Sequence, residues 1–181
     1  MATYYLPGCD TTIPQPQCSD CPTKELGDVR AFFLVRNDFA FTDITSESEW
    51  ITGLNAKQIY VFPYTKGSIE PAENLADGFG NQDQTLDSYT YTANLMIGND
   101  YAQNRPFWNA IKNSRNWLFG YKTETLVHLA DKEALIVPKA PVNEGKKEKV
   151  LWNIMATWTQ EDLMDPQAEP TGIFDECIEV S

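Results

Sequence analysis

The chain has 181 residues, a hydrophobic fraction of 42% and a net charge of −12 from 14 basic and 26 acidic residues. That length bounds it to one domain, or one domain with arms, and the apolar fraction is enough for a core. The acidic balance argues against gripping nucleic acid, whose phosphates it would repel, and no apolar run approaches the ~20 residues that a membrane-spanning helix needs.

Residues 1–28 read as an irregular arm. Pro7, Pro14, Pro16 and Pro22 fall there and few apolar residues could anchor it, so without a staple it should order only on a partner. Three of the four cysteines, Cys9, Cys18 and Cys21, lie in this arm, and Cys177 lies near the other end. Cys18-Ser19-Asp20-Cys21 has the spacing of a knuckle that grips zinc with two thiolates, and Cys9 and Cys177 are the candidates to complete one tetrahedral structural zinc. Two disulfides or four unlinked thiols fit the same pattern. The chain opens Met-Ala-Thr-Tyr-Tyr, with neither a basic nor an apolar leader. Disulfides need an oxidising compartment, and no secretory signal is read there.

The first expected strand runs from Val29 to Arg36, and its run Ala31-Phe32-Phe33-Leu34-Val35 suggests burial on both faces. Asn37-Asp38 turns the chain, with Phe39-Ala40-Phe41 as a short return strand. Ser46 to Glu49 fits a capping box ahead of a short helix ending near Asn55, which Gly53 weakens. Gln58 to Tyr64 reads as a strand. Residues 65–84, with Gly67, Pro71, Gly78, Gly80 and several Asp and Asn, read as a long surface loop ordered by function or by a partner.

Leu86 to Ile97 is the clearest strand, with Tyr89, Tyr91, Ala93, Leu95 and Ile97 on one face. A helix is expected from Pro106 to Asn113, with the proline in its first turn. Asn116 to Lys122, Thr125 to Ala130 and Ala134 to Val137 read as strands. After a Lys-rich loop over 139–149 comes a long alternating strand with Val150, Trp152, Ile154, Ala156 and Trp158 on one face. The sum is mainly β: an antiparallel sandwich or barrel of about seven strands with one or two short helices and long N- and C-terminal arms. Its expected parts are the arm 1–28, a core over 29–160 carrying the loop 65–84, and an acidic tail over 161–181.

Little in the sequence points to catalysis. The one histidine, His128, sits in a strand, where a partly exposed or hydrogen-bonded role is expected. No nucleophile elbow, zinc-protease, P-loop or dinucleotide motif occurs, so the chain is expected not to be an enzyme. Tyr89 with Tyr91, and Trp152 with Trp158, share strand faces and could stack on sugars, or simply build the core.

The element order, with Cys18-Ser19-Asp20-Cys21-Pro22 ahead of it, resembles small virion structural proteins of bacteriophages infecting Bacteroidetes. It is similar in layout to their tail-tube and connector subunits, over roughly residues 25–165. The resemblance implies a homo-oligomer that contacts other virion proteins, with no specific nucleic acid and no membrane partner. It also implies assembly in the host cytoplasm, where zinc is a better expectation than a disulfide. A capsid decoration or auxiliary protein, and a glycan- or surface-binding module, are the alternatives.

Overall fold

In the computed structural model, residues 27–78, 80, 83–98, 101–112, 114–141 and 151–174 are described. They form, in order, β1 (Ala31–Arg36), α1 (Glu47–Asn55), β2 (Ile59–Pro63), β3 (Thr65–Ala76), β4 (Thr85–Ile97), α2 (Tyr101–Ile111), β5 (Trp117–Lys122), β6 (Leu126–Glu133), β7 (Leu135–Lys139), β8 (Trp152–Gln160) and β9 (Pro166–Ala168). The strands make two antiparallel sheets, ordered β2-β1-β5-β6-β9 and β3-β4-β8-β7. These pack face to face as a sandwich, and neither closes into a barrel.

Strand β1 is buried on both sides because the first sheet is a middle layer. Phe32 and Leu34 face β4 and β8 across the main core, among Leu95, Ile97, Ile154, Ala156 and Trp158. Ala31, Phe33 and Val35 face the opposite way, into a second core built with Trp50 and Leu54 of α1 and with Ile173 and Phe174. Trp50 meets Phe33 edge-on at 4.8 Å and Phe174 at 5.2 Å, and its Nε1 donates to the Ile44 carbonyl at 2.6 Å. Such aromatic pairs add roughly 0.5–1.5 kcal/mol each beyond the area they bury.

Helix α1 starts where the capping pattern placed it, but the cap is built differently. Ser46 is the N-cap residue, yet its hydroxyl makes no capping bond and lies instead 3.0 Å from the Ser48 hydroxyl. The Glu49 carboxylate accepts from the amides of Thr42, at 2.8 Å, and Asp43. It therefore stitches the preceding loop to the helix rather than closing on Ser46. Gly53 is buried, and a Cβ there would run into Ile59 of β2, so the packing against β2 requires the residue that is poorest for the helix. Phe39 and Phe41 form no return strand. Their rings meet edge-on at 5.0 Å over the second core.

Residues 65–76 are not a loop. They form β3, 12 residues long, paired in register with β4 and bulged at Asn74/Leu75. No buried apolar row marks this strand because it lies at a sheet edge; its partner β4 carries the amphipathic pattern. Two of the four breakers behind the loop reading, Gly67 and Pro71, lie within this strand. The Thr65 amide donates to Arg30, away from β4. By the alternation of an antiparallel ladder, Pro71, six residues on, also turns its nitrogen to the open side, where no ladder bond is lost. Gly67 has φ +155°, and a Cβ there would overlap the Asn94 carbonyl oxygen.

Helix α2 begins at Tyr101, so Pro106 lies inside it rather than in its first turn. Trp108 is buried against Phe62 at 5.1 Å, and Phe107 meets Tyr60 at 4.8 Å. The acidic tail also folds back. Its segment Pro166–Ala168 pairs with β6 as β9, and Met164, Ile173 and Phe174 are buried. The folded body thus extends past 160, to at least Phe174.

Candidate functional site

The proposed zinc ligands Cys9, Cys18, Cys21 and Cys177 lie outside the described residues, as does nearly all of the 1–28 arm. Among the described residues, no group of three or more His, Cys, Asp or Glu side chains is placed to hold a metal ion. No helix among them is long and apolar enough to cross a membrane.

His128 lies flat against Tyr121, with ring centroids 4.6 Å apart and planes at 9°. Burial, with Tyr91 close by, pushes the Tyr121 hydroxyl above its ordinary pKa of 10.0. Hydrogen bonds from the hydroxyl and then the amide of Thr45 hold the Asp43 carboxyl below its ordinary 3.8. The aromatic rows mostly build the core: Tyr91, Trp152 and Trp158 are buried, and Tyr89 packs half-buried beside them. Trp158 is sandwiched between Tyr91, at 5.2 Å and 4°, and Phe119, at 5.0 Å and 28°. Trp152 is buried with it.

The outward-facing features lie along β3 and β4. Strand β8 pairs with β4 only over Tyr89–Ile97. Among the described residues, Thr85–Ser88 of β4 pair with β3 alone, as a two-stranded ribbon running beyond the four-stranded part of the sheet. At its end Leu75 stands opposite Leu86, and the two are 53% and 47% exposed. Asn74 stiffens the ribbon, its amide donating to the Ser88 and Thr90 hydroxyls at 3.1 and 2.8 Å. Near the turn, the Gln84 amide donates to the Asp77 carboxylate at 2.8 Å.

The ribbon is also a block of one charge. No Lys or Arg occurs between Lys66 and Arg105, while Glu70, Glu73, Asp77, Asp83 and Asp87 fall along β3, β4 and their connection. This gap in basic residues, with a leucine on either side of the turn, is the sequence signal that could have located the site.

At the other end of β3 lies a hollow of about 500 Å³ with mainly apolar walls, lined by Asp28, Val29, Arg30, Tyr64, Thr65, Lys66 and Gly67. It forms where the chain leaves the first sheet for the second, and Tyr64 makes that corner with φ +59°. Tyr64 is 73% exposed. Arg30 on the rim pairs with Glu124 at 3.3 Å and with Asp28 at 3.8 Å.

The sheet edges bear on how such a molecule meets others. Among the described residues the edge strands are β2, β3, β7 and β9, and each carries a proline: Pro63, Pro71, Pro138 and Pro166. No interior strand has one. Prolines at edges discourage pairing with strands of other molecules. Compared with known family models, curated proteins and solved structures, the chain matches none of them.

Proposed function

We propose that this chain is a non-catalytic structural subunit that assembles with copies of itself. The bacteriophage virion proteins that its element order resembles, of tail-tube, collar or head–tail connector type, are the class we assign it to. One observation supports the reading above the others: an acidic ribbon that holds two exposed leucines beyond the four-stranded part of the sheet. Two large aliphatic side chains offered to water at the end of a stiffened hairpin are costly unless a partner covers them. Of the aromatics that would have favoured a glycan-binding module, Tyr91, Trp152 and Trp158 are buried and Tyr89 is half-buried, which weakens that alternative.

The test is the mass and shape of the purified full chain. Rings, tubes or shells by electron microscopy, with a light-scattering mass far above 20.5 kDa, support assembly. A monomer persisting at high micromolar concentration overturns it. The cysteines are tested separately, in protein purified without a metal-affinity tag. About one zinc per chain supports a clamp by Cys9, Cys18, Cys21 and Cys177 between the two ends, and four freely titrating thiols without zinc remove it.

A further inference from the structure

We infer that copies of this chain join head to tail, the Leu75–Leu86 tip of one ribbon seating in the hollow between Val29, Tyr64 and Gly67 of the next copy. The inference rests on the self-assembly proposed above and specifies its contact.

Tip and hollow match in chemistry. Leu75 and Leu86 are paired across the ribbon and about half exposed, so they present one apolar knob. The hollow is a mainly apolar concavity whose wall includes the exposed Tyr64. They also match in charge. The knob is flanked by Glu73, Asp77, Asp83 and Asp87 with no basic residue among them, whereas the hollow's rim carries Lys66, beside Arg30, which is paired with Asp28 of the same rim and with Glu124. Opposed patches of this kind steer an encounter and fix its register.

Geometry makes the contact intermolecular. Strand β3 begins at the hollow, with Thr65, and ends at the tip, with Ala76. Eleven extended steps at about 3.3 Å each separate the two ends by roughly 36 Å. A rigid strand cannot fold its own tip onto its own start. The two surfaces differ, so the contact is heterologous and repeats from copy to copy, generating a ring where the rotation closes and a filament where it does not. The edge prolines fit this arrangement, since they disfavour the competing route of strand-to-strand addition.

The experiment uses two variants of the full chain, each disabling one half of the contact. L75E/L86E charges the tip, and Y64N/K66E removes the ring and reverses the rim charge; Asn is chosen because it tolerates positive φ. At a concentration where the unaltered chain assembles, each variant alone should stay at 20.5 kDa. Mixed one to one, they should form a species of twice that mass and nothing larger, because the tip variant keeps its hollow and the hollow variant keeps its tip. Assembly of either variant alone as in the unaltered chain, or a mixture that stays monomeric, overturns the inference.

Circular dichroism checks that both variants fold. Should one not, the charge reversals E73K and K66E replace it. Each alone should raise the concentration at which assembly begins by about tenfold, and the double reversal should restore it. An unrestored double variant counts against the contact. An unaltered chain that never assembles removes the functional reading itself, whereas assembly that survives these variants removes only the contact.

Discussion

The ring of Phe33 in β1 lies directly over Gly120 in β5, its partner in the antiparallel ladder. A Cβ at position 120 would overlap the ring, with Cε1 at 2.8 Å and two further ring atoms closer still. The same ring meets Trp50 and Phe174 on its other sides, so it has nowhere to retreat. Gly120→Ala should therefore cost about 2–3 kcal/mol, as overpacking of a rigid core does. In urea melts, G120A/F33L should lose less than the sum of its two single variants. Strict additivity would show that the overlap is relieved elsewhere.

The tail is predicted to be part of the fold. Phe174 is buried in the second core, and Phe174→Ala should lower stability by about 3 kcal/mol through transfer and cavity terms. Truncation after Gln160 should expose Trp50 and Phe33, shifting the tryptophan fluorescence to the red. An unchanged melting curve for the truncated chain would contradict this packing.

One ion pair fastens the same segment. Lys122 Nζ lies 2.7 Å from Glu169 Oε2, with the lysine side chain 9% exposed and the glutamate 35%. Nζ also donates to the Glu124 carbonyl at 3.0 Å. Removing one charge leaves the other to bear its desolvation, and the lysine is the deeper of the two. Glu169→Ala should cost about 1–3 kcal/mol, reduced by the glutamate's exposure. Lys122→Met should cost less, since it leaves behind only the more exposed carboxylate. Chemical denaturation of both variants checks the order.

Stability should fall in alkali for a reason traceable to Tyr121. Its hydroxyl titrates higher in the folded chain than in the unfolded one, because burial and then Tyr91 disfavour the phenolate. The stabilisation it contributes is therefore fully present below the unfolded value near 10 and is lost as pH rises through the folded one. Thermal melts from pH 9 upward should show Tyr121→Phe with a shallower decline than the unaltered chain. Parallel declines would assign the alkaline loss to other groups.

The edge prolines yield a prediction about solubility rather than stability. Pro138→Val in β7 restores a donor to an edge strand and should increase strand-to-strand aggregation while leaving the melting temperature within a few degrees. Turbidity and sedimentation after prolonged incubation measure it.

Much of the sandwich was legible because period-two alternation survives wherever one face of a strand is buried. Tyr91, Ala93, Leu95 and Ile97 of β4, and Trp152, Ile154, Ala156 and Trp158 of β8, are core as their spacing implies. The unbroken run Ala31–Val35 likewise gave away a strand covered on both sides. The acidic ribbon was written in the sequence too, as a stretch without a basic residue, but only its pairing made it a projecting surface.

Tertiary structure alone decided the rest. Residues 65–76 are a strand because β4 offers them a ladder; an edge strand with both a face and an edge in solvent keeps polar residues, proline and glycine, and so carries no periodic signal of its own. Residues 162–174 belong to the body because Ile173 and Phe174 find a hydrophobic surface on the back of the first sheet, although their neighbours read as a charged tail. Alternation within a strand is local and can be read along the chain. Which edge is open, and which face another segment covers, depends on residues far apart in sequence, and no local pattern records it.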